Sequence, residues 1–340
     1  METYRKRSAL TAGLVAGICS LMLLTACSTE PWPQSATDSG VPSGSSSSSW
    51  DESAGGPVLW SGTIDPTALP LGDGKVSAEP EAGSLYSCKT EFGGRGAPNG
   101  GPWIDEANGT WDATSKAQVE GSNSWPQATY AESVDSGVRR ITASNLPTEH
   151  VTGNFPIATS DPAYQYDRNP NEIDEKLIDL SLPAEPVAAA EPSCVPMGAI
   201  GVLKNGVYIF NSFDAAGADA AAHETQDVCD GHPDGSDFYH FHNIPSCLLD
   251  AAGTSDDGSP MPRTSTLVGY ALDGFGIYVE RDSTGSLPTN ADLDECHGRT
   301  STVLFNGVEQ NIFHYSATLE YPYTVGCFLG TPVAQPSHAH

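Results

Sequence analysis

Three segments in the C-terminal half of the chain each join two apolar runs through an Asn-Gly or Asp-Gly dipeptide. These dipeptides supply the positive φ angles that two-residue turns require, so each segment predicts an antiparallel β-hairpin. The predicted turns lie at Asn205-Gly206, Asp273-Gly274 and Asn306-Gly307. Together they indicate a mainly β fold of antiparallel sheets with several tight hairpins.

The other predicted elements are one strand, one short helix and a stretch of irregular β structure. Ile178, Leu180 and Leu182 alternate with polar residues, as the residues of a half-buried strand do. The Ala-rich segment 218–227 predicts one short helical segment. Residues 59–160 have scattered Trp and Gly and only weak alternation, which predicts irregular β structure.

The composition fits this fold class and excludes several functions. Among 340 residues there are 35 Gly and 26 Pro, and only 17% of residues are charged, which argues against helical bundles and coiled coils. Lys and Arg number 15 against 43 Asp and Glu, so the net charge is -28. A chain this negative repels phosphate backbones and anionic headgroups, and we therefore exclude nucleic acid as a partner.

The N-terminus has the layout of a bacterial lipoprotein leader. Basic residues 5–7 precede an apolar stretch, and Leu24-Thr25-Ala26-Cys27 resembles a lipobox. We expect residues 1–26 to be a signal peptide, Cys27 to be lipidated, and the mature protein to be exported and held in the cell envelope by its lipid alone. Ser28 indicates the outer membrane if the cell is Gram-negative. An uncleaved signal anchor, or an ordinary signal peptide with a chance cysteine, is the alternative.

Composition also divides the mature chain. Residues 27–56 are a Ser/Gly/Pro tract with too few apolar side chains to fold, which predicts a disordered tether. We expect an N-terminal β region at 57–190 that packs on a second domain at 191–332, followed by a flexible tail at 333–340.

Six cysteines are left once Cys19 in the leader and Cys27 are set aside. An even number in an exported protein predicts three disulfides, although spacing alone allows many connectivities. No C-x-x-C motif occurs, so a zinc knuckle or a thioredoxin-like centre has little support. The first hypothesis for the pairing is Cys229–Cys247, which would staple the His-rich segment, with Cys296–Cys327 and Cys88–Cys194 completing the set.

The candidate chemistry is concentrated in a His-rich segment. In Tyr239-His240-Phe241-His242 the side chains alternate, so a strand here places both imidazoles on one face, opposite the aromatic rings. Two imidazoles at i and i+2 can converge on one metal ion. His314 has the same parity within Phe313-His314-Tyr315-Ser316 and would join them if the two strands were neighbours. His232 is the alternative third ligand.

Clustered imidazoles with nearby carboxylates suit Zn or Cu better than Ca. The weaker candidate ligands are His223 and His297, and the candidate bases are Glu224, Asp227 and Asp273. His223-Glu224 resembles the start of an H-E-x-x-H zinc-protease helix, but position 227 is Asp, which we expect instead to orient His223 or a ligand. No Walker loop or dinucleotide fingerprint occurs, so no nucleotide cofactor is predicted. The open alternative is an aromatic-rich strand whose histidines only form hydrogen bonds within the fold.

The same residues carry a family resemblance. The motifs are His223-Glu224, Cys229-Asp-Gly-His232-Pro, Tyr239-His-Phe-His242, Gly269-Tyr-Ala-Leu-Asp273-Gly-Phe, Leu293-Asp-Glu-Cys-His-Gly298 and Tyr321-Pro-Tyr-Thr-Val-Gly-Cys327. Together they resemble the YHYH domain family over at least residues 194–330, with Phe241 in place of the second Tyr. Ser316 stands where a second histidine of the later copy is expected. The resemblance implies an uncharacterised extracytoplasmic bacterial protein, commonly a lipoprotein, and implies no reaction.

The leading hypothesis is a lipid-anchored, disulfide-stapled β protein that binds Zn or Cu through its clustered histidines, with its small-molecule or surface partner unspecified. A cell-surface binding module is the alternative from another class, in which Trp103, Trp111 and Trp125 stack on glycan rings and the histidines are structural. A metal-dependent hydrolase is the third hypothesis, with one of the three candidate carboxylates as its base.

Overall fold

The computed structural model describes residues 60–93, 96–97, 100–251 and 264–334. The predicted signal peptide, Cys27, the tether and all but the first two residues of the predicted tail lie outside the described residues. In the described part of the chain, no helix is long and apolar enough to cross a membrane. Export, lipidation and the predicted domain boundaries stay predictions.

The prediction of a mainly β fold is confirmed. The described residues contain two short α-helices, α1 (Ala220–His223) and α2 (Ser246–Ala251), and 3-10 helices at Pro162–Gln165 and Asn290–Asp292. Helix α1 lies inside the predicted helical segment, whereas α2 was not predicted. The strands are β1 (Leu69–Pro70), β2 (Val76–Ser77), β3 (Leu85–Tyr86), β4 (Ile104–Asp105), β5 (Thr110–Trp111), β6 (Gln118–Val119), β7 (Tyr130–Asp135), β8 (Val138–Ala143), β9 (Ile178–Pro183), β10 (Ala188–Ser193), β11 (Ala199–Leu203), β12 (Tyr208–Phe210), β13 (Gln226–Asp227), β14 (Gly231–Pro233), β15 (Tyr239–Phe241), β16 (Thr264–Ala271), β17 (Gly276–Arg281), β18 (Gly298–Phe305), β19 (Val308–Ser316) and β20 (Phe328–Gly330).

An eight-stranded sheet in the order β14-β15-β12-β11-β16-β17-β19-β18 forms the centre of the fold. The three predicted hairpins are present in it, because β11 pairs with β12, β16 with β17 and β18 with β19, each antiparallel. Parallel pairs β12–β15 and β17–β19 join these hairpins to the outer strands. The predicted strand at 178–182 is β9, which pairs with β8 in a separate three-stranded sheet.

The eight strands form two halves with the same topology. Outwards from the central pair, the first half runs β11, β12, β15, β14 and the second runs β16, β17, β19, β18. Across the seam Gly201 pairs with Ala271, and Gly269 pairs with Leu203. This reciprocal register is what a local two-fold axis between β11 and β16 requires.

Side-chain positions support the same internal repeat. Asp227 and Asp294 each accept hydrogen bonds from the backbone amides two and four residues later. Cys229 and Cys296 each lie two residues after these aspartates, and each forms a disulfide. The other equivalent pairs, all at one spacing, are Gly201 and Gly269, Asn205 and Asp273, Gly206 and Gly274, Ile209 and Ile277, and Phe210 and Tyr278. The central sheet is therefore a tandem repeat of a four-stranded unit.

The region before the central sheet contains one long hairpin that the sequence pattern did not reveal. Irregular β structure was predicted for residues 59–160, and most strands there have only two residues, but β7 and β8 have six each. Arg139 occupies an inward position of β8 at 2% exposure, and its guanidinium lies 4.0 Å from the centre of the Tyr270 ring. A buried arginine breaks the apolar alternation by which strands are recognised.

Six cysteines pair as the sequence hypothesis proposed. The disulfides are Cys88–Cys194, Cys229–Cys247 and Cys296–Cys327, with Cα–Cα distances of 4.9, 5.4 and 4.5 Å. The first connects the N-terminal region to the chain that enters the central sheet. The other two each close one half of the repeat.

Candidate metal centre

Three imidazoles converge at one end of the central sheet. His232 on β14 lies opposite His240 on β15 in the antiparallel register, and His242 follows β15 directly. Their ligand nitrogens all lie within 4.8 Å of one another. All three residues are at most 4% exposed, so the nitrogens face one another away from bulk solvent.

Backbone carbonyls fix the orientation of two of these rings. Nδ1 of His240 lies 3.0 Å from the carbonyl oxygen of Phe238, and Nδ1 of His242 contacts the carbonyl oxygen of Asn211. A carbonyl only accepts hydrogen bonds, so in each ring Nδ1 is the protonated nitrogen that donates. In a neutral ring Nε2 then carries a lone pair, and the two Nε2 atoms lie 3.1 Å apart. Donation from Nδ1 to a backbone carbonyl is the usual support of a metal-ligating histidine.

Glu224 completes the group, which we call the His-Glu cluster (Glu224, His232, His240 and His242). Its Oε2 lies 3.1 Å from Nε2 of His242 and 3.4 Å from Nε2 of His232. Glu224 is the residue at which α1 gives way to extended backbone, with φ -79° and ψ 140°. This change of direction turns its side chain towards β14 and β15.

The cluster contains buried polar atoms that the fold itself does not satisfy. Within the described part of the chain, both ring nitrogens of His232 and Oε2 of Glu224 have no hydrogen-bond partner. Burial, and then the neighbouring His240 and His242, hold the pKa of His232 well below its usual value. A neutral His232 therefore offers a lone pair to the centre of the cluster without a proton donor to meet it.

Three of the distances between the ligand atoms match those in a metal polyhedron. Four ligands at about 2.0 to 2.1 Å from a tetrahedral zinc ion lie about 3.3 Å from one another. In the His-Glu cluster the Nε2–Nε2 distance of 3.1 Å and the two Nε2–Oε2 distances of 3.1 and 3.4 Å are close to that value. Three imidazoles and a carboxylate are also a donor set suited to zinc or copper.

A cavity of about 740 Å³ opens onto the cluster. The ring of Phe210 stacks on His240 at 4.0 Å between centroids and forms part of the apolar wall. The charged groups that line the cavity besides Glu224 are Lys89, Asp167, Asp214 and Asp234. Carboxylates outnumber the single lysine, so the field in the cavity favours cations.

Asp227 positions the two strands that carry the histidines. Its carboxylate accepts hydrogen bonds from the hydroxyl of Tyr239 at 2.8 Å and from the amides of Gly153, Cys229 and Gly231. Burial raises the pKa of Asp227 to about 6. The expectation that Asp227 orients His223 is wrong, because the helix ends at His223 and the one-turn spacing is not formed.

His223 and His297 lie outside the cluster. Nε2 of His223 lies 2.9 Å from Oδ2 of Asp73, which raises the pKa of His223 although burial opposes that shift. His297 is buried beside the hydroxyl of Thr318, 3.0 Å from its Nε2, and burial lowers the pKa of His297 to about 3. Neither weak candidate is brought to the candidate metal centre.

His314 and Asp273 also lie elsewhere, in the second half of the sheet. Strand β19, which carries His314, is separated from β15 by β12, β11, β16 and β17, so the expected sharing of one face by three strand histidines is wrong for His314. Asp273 accepts hydrogen bonds from the hydroxyl of Tyr315 at 2.6 Å and from the amide of Gly330 at 3.0 Å. It is a structural carboxylate rather than a base of the His-Glu cluster.

Replacement of Asp273 by Asn is expected to change the pH dependence of stability. Burial raises the pKa of Asp273 to about 6 from 3.8, so ionisation between these values favours the unfolded chain and the wild type loses stability as pH rises through that window. Asn does not ionise, and the stability of Asp273→Asn relative to wild type should therefore improve by about 3 kcal/mol from pH 3.5 to pH 7. Urea unfolding at the two pH values measures this.

The control for this prediction is Asp105→Asn. Asp105 is exposed, and a hydrogen bond from Asn108 lowers its pKa, so its replacement gives a pH effect of the opposite sign. If the difference in stability between Asp273→Asn and the wild type were the same at pH 3.5 and pH 7, Asp273 would not be forced to ionise in a buried site.

Two of the three tryptophans proposed to stack on glycans are core residues. Trp103 and Trp111 are 4% and 5% exposed, and Nε1 of Trp103 donates to the carbonyl oxygen of Ala222 at 2.8 Å. Only Trp125 of the three is partly exposed. His150 lies near Cys229 and Cys247, but these sulfurs form a disulfide, so that group is not a metal site.

Sequence reasoning missed the residues that surround the histidines. Phe210, which stacks on His240, is the last residue of β12. Asn211, whose carbonyl orients His242, follows it directly. The parallel pairing of β12 with β15 brings them there. Parallel pairs leave no turn signature, so only the repeat of Ile209-Phe210 as Ile277-Tyr278 marked this segment in the sequence.

Comparison with known proteins identifies the region that holds the cluster. Residues 179–287 match the family model described as YHYH protein. No curated protein and no solved structure matches the chain. The matched region includes α1, β14 and β15 and ends before β18. The resemblance seen in the sequence was expected to extend further, to residue 330. All four residues of the His-Glu cluster therefore lie in the segment that matches the YHYH family.

Proposed function

We propose that this protein binds one transition metal ion, Zn or Cu, in the His-Glu cluster. The observation that carries the proposal is the convergence of three imidazoles within 4.8 Å of one another beside one carboxylate oxygen, with three of the distances between ligand atoms at 3.1 to 3.4 Å. His232, His240 and His242 are the nitrogen ligands, and Glu224 is the oxygen ligand. With the export and lipid anchor expected from the N-terminus, the protein holds this metal in the cell envelope.

The alternative of purely structural histidines explains the cluster less well. One proton between the two facing Nε2 atoms would relieve the repulsion between His240 and His242. It would leave the ring nitrogens of His232 buried without a partner, at a cost of about 1 to 3 kcal/mol. A divalent cation satisfies all four ligand atoms at once.

A metal-dependent hydrolase is the second candidate function, and the cavity favours it. The cavity of about 740 Å³ gives a small molecule access to the cluster. A bound metal ion would supply Lewis acidity or an activated water there. In that case the three imidazoles are the ligands, and Glu224, 3.1 Å from Nε2 of His242, is close enough to act as a base rather than as a ligand.

Glu224→Gln is expected to weaken metal binding by more than the roughly tenfold to hundredfold that the loss of a residue supporting a ligand costs, because the amide keeps the shape of the side chain and loses the charge of a ligand oxygen. The measurement is calorimetric titration of metal-stripped protein with Zn²⁺ and with Cu²⁺. Glu120→Gln, at an exposed carboxylate, is the matched control and should bind like the wild type.

The outcomes separate the two candidates. A large loss of affinity in Glu224→Gln supports Glu224 as a ligand. Retained affinity with loss of hydrolysis of simple esters supports Glu224 as a base. A folded wild-type protein that takes up neither metal contradicts the proposed function.

A further inference from the structure

The second half of the central sheet carries three side chains at the positions of the three cluster histidines. Arg299 lies opposite His314 in the register of β18 and β19, as His232 lies opposite His240. The pairing of Gly298 with Tyr315 corresponds to that of Gly231 with Phe241, which fixes the equivalence. His314 is therefore the counterpart of His240, Arg299 that of His232, and Ser316 that of His242.

The equivalence extends to the support of the imidazole. Nδ1 of His314 lies 3.1 Å from the carbonyl oxygen of Ile312, two residues earlier, just as Nδ1 of His240 lies 3.0 Å from that of Phe238. An aromatic ring from the neighbouring parallel strand packs on each imidazole, Tyr278 on His314 and Phe210 on His240. Both imidazoles thus direct Nδ1 to the carbonyl oxygen two residues earlier, although Phe210 stacks on His240 and Tyr278 meets His314 edge-on.

A carboxylate also stands at the centre of the second group. Oε2 of Glu280 accepts a hydrogen bond from the hydroxyl of Ser316 at 2.6 Å, and it lies 3.1 Å from Nε2 of His314 and 3.7 Å from Nε of Arg299. Glu280 is only 1% exposed. In the second half all three positions of the outer hairpin meet one carboxylate oxygen, and in the first half His232 and His242 do so. The two carboxylates come from different segments.

The difference between the halves is the source of positive charge. In the second half it comes from the chain itself, because the guanidinium of Arg299 lies beside Glu280 and 4.8 Å from the ring centre of Trp60. Burial alone would raise the pKa of Glu280, but the contacts with His314 and Arg299 outweigh it and lower that pKa to about 2. Glu280 is thus a buried carboxylate that is neutralised without a metal ion.

We propose that the second half of the sheet contains a latent copy of the metal centre, in which the guanidinium of Arg299 takes the place of the metal cation. The proposal rests on the proposed function for the first half. It assigns Arg299 as the residue that excludes metal from the second half, and Ser316 as the lost ligand. A metal ion would then neutralise the carboxylate of the first group, and a side chain neutralises that of the second.

The test restores the lost ligands in the full chain. Arg299→His/Ser316→His places imidazoles at all three positions beside Glu280, and we expect the Zn²⁺ bound per chain, measured by calorimetry and elemental analysis, to double relative to wild type. Ser316→His alone keeps Arg299 and should bind no more Zn²⁺ than the wild type. A folded double variant with an unchanged zinc content overturns the proposal and leaves the proposed function intact.

The reciprocal exchange is independent of whether the first variant folds. His232→Arg/His242→Ser gives the first half the residues of the second, and we expect it to fold, to bind no Zn²⁺ and to melt at the same temperature with and without EDTA. His232→Ala/His242→Ser lacks the compensating guanidinium and should melt at a lower temperature. Equal melting temperatures of these two variants would overturn the role of Arg299, and a wild type without zinc would overturn both proposals.

Discussion

His240→Asn/His242→Asn is expected to abolish the stabilisation that a metal ion gives this protein. Asn places its amide nitrogen near the position of Nδ1, so the hydrogen bonds to the carbonyls of Phe238 and Asn211 are kept while both Nε2 ligands are removed. At a free metal concentration about 100-fold above Kd, the wild type gains about 2.7 kcal/mol. For a domain of this size that corresponds to a rise in Tm of roughly 2–4 °C for each kcal/mol.

The decisive comparison is the response of Tm to chelation. EDTA should lower the Tm of the wild type and leave that of the double variant unchanged, whatever the baseline stability of the variant. His223→Ala removes an imidazole that pairs with Asp73 outside the cluster, and it should respond to EDTA like the wild type. Equal responses of the wild type and the double variant would assign the cluster histidines to the structure alone.

Loss of the disulfide between Cys88 and Cys194 is expected to destabilise the protein more than loss of either other disulfide. The three loops span 106, 18 and 31 residues for Cys88–Cys194, Cys229–Cys247 and Cys296–Cys327. In the chain-entropy description a loop of about 100 residues contributes about 4.7 kcal/mol, and one of about 15 residues contributes about 3 kcal/mol. The longest loop also ties the N-terminal region to the central sheet.

Paired Cys→Ser variants measured by urea unfolding at neutral pH test this order. Cys229→Ser/Cys247→Ser removes the disulfide that closes the shortest loop. It serves as the comparison because both variants lose the same number of sulfur atoms. A smaller loss for Cys88→Ser/Cys194→Ser than for this variant would mean that the N-terminal region is held by its packing and that the disulfide adds little.

Local sequence patterns predicted the hairpins and the parity of the histidines. Each Asn-Gly or Asp-Gly turn specifies its own hairpin through backbone geometry, and the alternation in 239–242 places His240 and His242 on one side. Both properties depend on residues adjacent in the chain. They are therefore visible without knowledge of the tertiary structure.

The order of strands in the sheet could not be predicted in this way. Parity gives His314 the same side of its strand as His240, but it says nothing about the four strands that separate them. The constant spacing between Gly201-Val and Gly269-Tyr and between the Asn-Gly and Asp-Gly turns was the signal of the internal repeat. Recognising that repeat would have assigned His314 to a second, equivalent place rather than to the first.

The three candidate carboxylates show a second limit of prediction from sequence. Glu224 was one of three candidate bases, and only the change from helix to extended chain at this residue brings it to the histidines. Asp227 and Asp273 have the same chemistry but are fully engaged in hydrogen bonds that fix the strands. Residue type indicates what a side chain can do, and the tertiary contacts decide which of them is available.

The central claim is tested most directly by the metal content of the full-length chain, exported to an oxidising compartment without an affinity tag. His338→Ala/His340→Ala in every sample removes the tail histidines as a source of adventitious metal. Elemental analysis should find close to one equivalent of Zn or Cu in this protein and almost none when His240→Asn/His242→Asn is added. A folded, fully oxidised protein that contains no transition metal, and takes none up on dialysis against Zn²⁺ or Cu²⁺, would contradict the account.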